Sequence, residues 1–322
     1  MYLIQDLEVS VIENPYNMGY RHLRVLSGYV SPIYVEHILE TYSELILDIV
    51  VGMVSHDGIA VWHHRGFLNL MEQFQGRLTI SYQISRPGNH RKVYYWLQNE
   101  ELDAKVFVGS ANFTQNGFIR QNELLVEANY ANIDDVFADL NVLSCDNPTI
   151  DSEVNFYEAT PRRVGITTSI ESTNELEEIE VLSTPTHSYS DYVDISLVAK
   201  NGEVPARSGL NWGQREGRNR NQAYLSVPKT IHDEKPDFFP PLKETFLVIT
   251  DDGENLICVM AQQNRKGIHT REDNSLMGMY FRRRLGLESE SFVETDDLRR
   301  YGRDSVRIYK IDDETYYLDF SV

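Results

Sequence analysis

The chain has 322 residues and 41% hydrophobic content, enough for two ordinary cores, and a formal net charge of −19. It holds no run of about 18 apolar residues, so no membrane span is expected, and the opening MYLIQDLEVS lacks the basic and apolar regions of a signal peptide. The only cysteines are Cys145 and Cys258, which excludes a disulfide scaffold and a CxxC zinc site and fits a reducing cytoplasm.

The N-terminal half alternates strand and helix signals. Leu23–Val30 reads as a strand and Pro32–Tyr42 as a helix with Ile33, Val35, Ile38 and Leu39 as its apolar set. Leu45–Val54 is a strand, Asp57–Phe74 a helix, and Arg77–Ile84 and His90–Leu97 are strands. Lys105–Val108 is a strand running into Gly109-Ser110-Ala111-Asn112, and Asn112–Phe118 reads as a helix start. Glu123–Glu127 is a strand and Ile133–Val142 a helix. Such alternation predicts an α/β domain over 1–165, with a site at strand ends and the loops beyond them.

Residues 166–190 are rich in Ser, Thr and Glu, with five acidic residues and no basic one, and read as an acidic linker. From 191 to 322 short strands dominate: Val193–Ala199, Gln222–Val227, Thr245–Thr250, Asn255–Gln262, Ser305–Ile311 and Thr315–Phe320. Short strands with few helices predict a mainly-β barrel or sandwich.

The charge is uneven along the chain: net −10 over 1–165, −5 over 166–190 and −4 over 191–322. The C-terminal domain nevertheless contains a pair of locally basic windows. Residues 207–220 hold Arg207, Arg215, Arg218 and Arg220 against Glu216, and 262–284 hold Arg265, Lys266, Arg271, Arg282, Arg283 and Arg284 against Glu272 and Asp273. Phosphate binding follows local charge, because salt screens distant charge within about 8–10 Å. Asn211, Gln214, Asn221 and Gln263 suit base edges, and Trp212 lies among them.

The chemistry concentrates between His90 and Glu123. His90 and Lys92 would share one face of an extended strand. A neutral imidazole can attack phosphorus, and a nearby ammonium with the side chains of Ser110 and Asn112 can meet the charge that develops. Neither His63-His64-Arg65 nor His269-Thr270-Arg271 supplies a second such set. Both lack the lysine and the GSxN that follows it.

HxK followed by GSANFT resembles the phospholipase D superfamily, and its nuclease branch in particular. The superfamily pattern has an aspartate five residues after the lysine, where this chain has Leu97. Restriction endonucleases of the BfiI and NgoFVII type show the same departure. With Leu97 in that place, Glu123 is the candidate for holding His90. The chemistry needs two histidines and this chain has one such motif, so the resemblance implies a homodimer with one shared site. It implies no metal and no cofactor.

Gly209-Leu210-Asn211-Trp212-Gly213-Gln214-Arg215, Gly278-Met279-Tyr280-Phe281-Arg282, Arg284-Leu285-Gly286 and Tyr301-Gly302-Arg303 resemble the C-terminal region of NgoFVII-type enzymes, a pseudobarrel similar to the plant B-three domain. The resemblance implies two arms, at 207–224 and 262–284, gripping double-stranded DNA. Expected, then, is a sequence-specific, metal-independent restriction endonuclease that cuts outside its recognition site. A lipid phosphodiesterase and a DNA-binding regulator with an inactive nuclease fold are the alternatives. The resemblance admits a separate helicase-like ATPase partner. The acidic linker is expected to be a tether, or a guard competing with DNA for the catalytic groove.

Overall fold

The computed structural model describes residues 2–129, 133–157 and 191–322. The expected acidic linker at 166–190, and any guard role for it, lie outside the described residues. The chain divides into two compact units, Met1–Glu158 and Ala159–Val322.

In the first unit the strands are β1 (Tyr2–Leu3), β2 (His22–Ser27), β3 (Ile46–Val51), β4 (Ile59–Ala60), β5 (Leu78–Gln83), β6 (Val93–Trp96), β7 (Lys105–Gly109), β8 (Leu125–Ala128), β9 (Val142–Ser144) and β10 (Phe156–Tyr157). The main sheet runs β1-β8-β7-β6-β2-β3-β5-β9, and β4 pairs with β10 apart from it. Parallel pairing joins β2, β3 and β5, because helices Pro32–Thr41 and Val61–Gln73 cross over between them. The remaining pairs of the main sheet are antiparallel. This is the mixed α/β sheet that the alternation predicts. Ser31 caps the first crossover helix by accepting from the Tyr34 amide, with Pro32 at its first position.

The register places one end of this sheet under the site. Leu26 near the end of β2 lies opposite Val93 at the start of β6, and Val93 lies opposite Val108 near the end of β7. Gly109 lies opposite Leu125 at the start of β8. The segments just beyond Ser27, just before Val93, just after Gly109 and just before Leu125 therefore meet at one edge.

Two boundaries differ from expectation there. The strand expected from His90 starts only at Val93, because the Arg91 amide bonds the Asn89 side chain at 3.1 Å and turns the chain. The side chains of His90 and Lys92 still meet on one side of the chain ahead of that strand. The helix expected from Asp57 starts at Val61, because Gly58 adopts a φ of +74° and Ile59–Ala60 pairs with Phe156–Tyr157.

The second unit is β-rich. Its strands are β11 (Tyr192–Ser196), β12 (Leu225–Ser226), β13 (Thr245–Thr250), β14 (Asn255–Ala261), β15 (Gly267–Thr270), β16 (Ser305–Lys310) and β17 (Thr315–Asp319), in the order β11-β16-β17-β13-β14-β15-β12. The edge strands β11 and β12 approach each other, so the sheet is nearly closed into a barrel. Phe246, Met260, Phe281, Tyr316 and Leu318 are among the side chains that fill it.

The arm expected at 262–284 consists largely of regular structure. After a short turn at Gln263–Arg265 it forms β15 and then a helix, Ser275–Arg284. Arg282 is 1% exposed and belongs to this helix. Its guanidinium donates to the carbonyls of Ser291 at 2.8 Å, Gly278 and Arg220 at 3.1 Å, and Asn221 and Leu210 at 3.4 Å. Gly278 is required beneath it, since a Cβ there would come within 1.6 Å of the Asn221 carbonyl oxygen. Arg282 therefore binds three segments of the unit together and corrects its expected role at DNA.

Arg282→Ala should lower the unfolding free energy of the full chain by about 3–5 kcal/mol, by leaving buried carbonyls without donors. Urea unfolding followed by tryptophan fluorescence checks this. A loss under about 1 kcal/mol would mean that water or neighbouring donors replace the guanidinium.

Candidate active site

Close backbone approach assembles the site. The Phe113 amide donates to Ser27 Oγ at 3.0 Å, and the Ser31 amide donates to the Phe113 carbonyl at 3.1 Å. Tyr94 OH donates to the Ala111 carbonyl at 2.6 Å. These bonds pin the Gly109–Asn112 turn to the loop after β2. Gly109 has no alternative at its position, since a Cβ would stand 2.0 Å from the Leu124 carbonyl oxygen. Gly117 does the same service one turn on, 2.4 Å from the Asn112 carbonyl oxygen by the same construction.

Lys92 is buried, and its Nζ lies 2.8 Å from His90 Nδ1, 3.1 Å from His90 Nε2 and 2.7 Å from the His90 carbonyl oxygen. An ammonium only donates, so a ring nitrogen that accepts from it must carry a lone pair. Burial pulls the Lys92 ammonium below its ordinary pKa, while the Glu123 carboxylate opposes that fall. His90 itself is exposed. Asn112 Oδ1 accepts from the Tyr29 amide at 3.3 Å and lies 3.4 Å from Ser27 Oγ. That fixes the amide plane and leaves Nδ2 as the donor turned to other uses. A Cβ on Gly28 would meet His90 Cδ2 at 3.0 Å and Asn112 Oδ1 at 3.4 Å, so the two side chains flank the same bare backbone.

Ser110 and Glu123 are joined, Ser110 Oγ donating to Glu123 Oε2 and accepting from the Leu124 amide at 3.0 Å. Glu123 therefore holds Ser110, and its expected hold on His90 is not seen. Leu97 sits beyond the far end of β6, packed with the small apolar cluster that includes Val93 and Phe137. Position 97 is seven residues from His90, and the β6 strand between them alone spans about 13 Å, so a carboxylate at position 97 would not reach His90 of the same chain. The acidic side chain that sequence reasoning missed is Asp57, which bonds Tyr29 OH at 2.7 Å, while the Tyr29 ring stands edge-on to His90 with centroids 5.8 Å apart. Nothing in the order of residues signals this approach. His63 and His64 lie on the helix Val61–Gln73, His64 bonding Tyr82 OH at 3.0 Å.

In the second unit the first basic window forms a short 3-10 helix, Gly209–Gln214, followed by an exposed turn from Arg215 to Arg220. The Arg218 guanidinium lies 3.8 Å from the Trp212 ring centroid and bonds Gln222 Oε1 at 3.1 Å. Trp212 packs on His269, which stacks on Tyr224. Arg215 Nε donates to the carbonyl of Arg207, and both residues are exposed.

Other expected DNA contacts have structural partners. Asn211 is fully buried and bonds Val293 through both its carbonyl and amide groups. Asn221 is buried against Ser289 and Glu290, and Gln214 bonds the Arg220 and Glu290 carbonyls. Arg265 donates to the Phe239 and Pro236 carbonyls, and Arg284 pairs with Asp251 at 2.8 Å. In the second window Gln263 and Lys266 are exposed, whereas Arg271 is half-buried beside Glu272.

Comparison with known proteins agrees with these two halves. No curated protein sequence matches the chain. Among solved structures, polyphosphate kinase from Porphyromonas gingivalis aligns over 43% of this chain and 21% of its own, at 12% identity and a TM-score of 0.30. NucT from Helicobacter pylori aligns over 39% of this chain and 82% of its own, at 13% identity and a TM-score of 0.26. The chain thus spans about a fifth of the kinase. Residues 5–156 match the NgoFVII restriction endonuclease N-terminal PLD domain, and residues 186–312 match the NgoFVII C-terminal B3-like DNA-binding domain. The two matches take in most of the sequence, and the chain belongs to the NgoFVII restriction endonuclease family, with a phospholipase D-type nuclease domain ahead of a B3-like DNA-binding domain.

Proposed function

We propose that the protein is a restriction endonuclease that cleaves double-stranded DNA without a metal, through a phosphohistidine on His90. The observation that carries this reading is the meeting of His90, Lys92, Asn112 and the Ser110–Glu123 pair at one sheet end. A His90 ring nitrogen gives its lone pair to phosphorus as the bond to the leaving strand oxygen breaks, and that oxygen takes up a proton. Water then attacks the phosphohistidine, giving its proton to the group that protonated the leaving oxygen, and the P–N bond breaks with its electron pair returning to the ring. Lys92 leaves its resting contact with His90 for a phosphoryl oxygen, and Asn112 Nδ2 donates to another. Glu123 fixes Ser110 so that its turn stays in place.

The proton donor is the histidine of a second copy, which makes the working unit a homodimer. Exposed apolar side chains at Ile119 and Leu124, on either side of Glu123 in sequence, suit such a dimer. The B3-like unit reads the site through Arg215, Arg218 and Arg220, with Arg207 near the Arg215 guanidinium and Gln263 and Lys266 on the second turn. Reading and cutting lie in separate units, so the cut falls outside the recognised bases. The family resemblance leaves room for a separate helicase-like ATPase subunit.

His90→Ala should reduce plasmid cutting at least about 10³-fold, and Lys92→Ala or Asn112→Ala by about 10²–10³-fold, all in excess EDTA. A strict Mg²⁺ requirement of the wild-type chain for the chemical step would sink the mechanism. Gly28→Ala should fold normally but cut at least about tenfold more slowly, because its methyl displaces His90 and Asn112 from their attack geometry. Unchanged cutting by this variant would show that the site accommodates the methyl and does not require a bare position 28. Arg218→Ala should either relax specificity at one base pair by about 1–3 kcal/mol or reduce the salt dependence of binding by about one phosphate contact. Wild-type binding at every salt concentration would remove Arg218 from the DNA face.

A further inference from the structure

Tyr29 is fixed at three points around the nucleophile. Its amide donates to Asn112 Oδ1, its carbonyl accepts from Ser27 Oγ at 2.6 Å, and its hydroxyl donates to Asp57 Oδ2 at 2.7 Å. The ring then stands edge-on to His90 at an interplanar angle of 76°. At 45% exposure it lies at the surface, so it is not a core residue that happens to touch the site.

Asp57 is itself held. Its other oxygen bonds His56 Nδ1 at 2.7 Å. Burial pushes the Asp57 carboxyl up, but the bonds from His56 and Tyr29 outweigh it and keep the group below the usual carboxylate range. Burial and the bond to Asp57 push the Tyr29 phenol up to about 12, so it remains a donor at neutral pH.

The short helix Val54–Asp57 also braces the chain leading to His90. Ser55 Oγ donates to the Ser85 carbonyl at 2.9 Å, Arg86 Nε donates to the Ser55 carbonyl at 3.2 Å, and the Asn89 amide donates to the Gly52 carbonyl at 2.8 Å. Gly88 lies against this helix, where a Cβ would stand 3.0 Å from both His56 Cβ and Met53 Sδ. One helix therefore reaches His90 from two sides, along the backbone through residues 85–89 and across space through Asp57 and Tyr29.

We propose that Tyr29 and Asp57 are a positioning pair for His90, orienting its ring for attack on phosphorus. Within one chain Glu123 bonds Ser110 and Leu97 lies beyond the far end of β6, so Asp57 is the carboxylate that reaches the surroundings of His90 from its own chain. The tyrosine ring limits rotation of the imidazole, and Asp57 limits rotation of the tyrosine. Asp57 also places a negative charge near a ring that becomes cationic when its nitrogen bonds phosphorus. The pair touches no reacting atom, so it acts on turnover and not on substrate affinity. The inference rests on the reading of His90 as nucleophile.

The test uses the full-length protein with bis(4-nitrophenyl) phosphate, whose leaving group departs without a proton donor. Tyr29→Phe keeps the ring and loses the tie to Asp57; Asp57→Asn loses the charge. Each should lower kcat about tenfold with KM within about twofold, because a slightly misplaced nucleophile loses rate before it loses binding. The double variant should be no slower than about twentyfold, since both changes break the same link. Tyr29→Ala should be slower than Tyr29→Phe. A kcat within twofold of wild type for either single variant, a KM that rises as kcat falls, or a double variant showing the full product of the two losses would each overturn the pair. His90→Ala is measured beside them. If it retains turnover, the nucleophile reading fails, whereas an inactive His90→Ala with unaffected Tyr29→Phe and Asp57→Asn fails the pair alone.

Discussion

The catalytic half depends on chain segments approaching more closely than side chains would allow. Gly109 lies against the Leu124 carbonyl, and Gly28 lies beneath His90 and Asn112. A side chain at Gly109 would collide with the backbone at the start of β8, and a methyl on Gly28 would crowd the His90 ring. The parallel core of β2, β3 and β5 supplies the rigid edge, and the antiparallel strands β6, β7 and β8 bring their turns to the same end. A site built from loops then gains the precision of the sheet that carries it.

Charge is handled differently in the two units. In the first, one lysine is buried against a histidine, and a carboxylate near it is occupied by a serine hydroxyl. An ammonium stripped of water interacts more strongly with an incoming phosphoryl oxygen than an exposed one does. In the second unit most arginines of the C-terminal basic cluster are committed to the protein. Arg282 serves backbone carbonyls, Arg283 pairs with Asp252 and Glu254, and Arg284 pairs with Asp251. The Arg215–Arg220 turn is instead exposed, with Arg218 laid on an indole. A stacked guanidinium has already lost some of its rotamer freedom, so presenting it to a base or phosphate costs less.

Much of this was legible in the residue order. The alternation of apolar strands with amphipathic helices specifies an α/β nuclease half, and short strands separated by turns specify a β-rich second half. The close succession of His90, Lys92, Gly109, Ser110 and Asn112 marks the candidate site, because those five come from two neighbouring antiparallel strands and the segments flanking them. Local spacing carries such information, since a short hairpin leaves little choice of partner. The helix Thr295–Tyr301, closed at its start by a reciprocal cap between Glu294 and Asp297, was not among the expected elements.

The tertiary structure alone decided which of two chemically identical side chains does which task. Arg218 and Arg282 look alike in a basic window, yet one is on the surface and the other is surrounded by carbonyls from segments up to 72 positions away. Asp57 and Glu123 are both carboxylates near the motif. Only the fold puts Asp57 beside Tyr29 and, through it, His90, and Glu123 on Ser110. Sequence determines what is local: period, turn residues, and motifs within one hairpin. Burial and long-range partners depend on how distant segments pack, and that packing is chosen by the whole core at once.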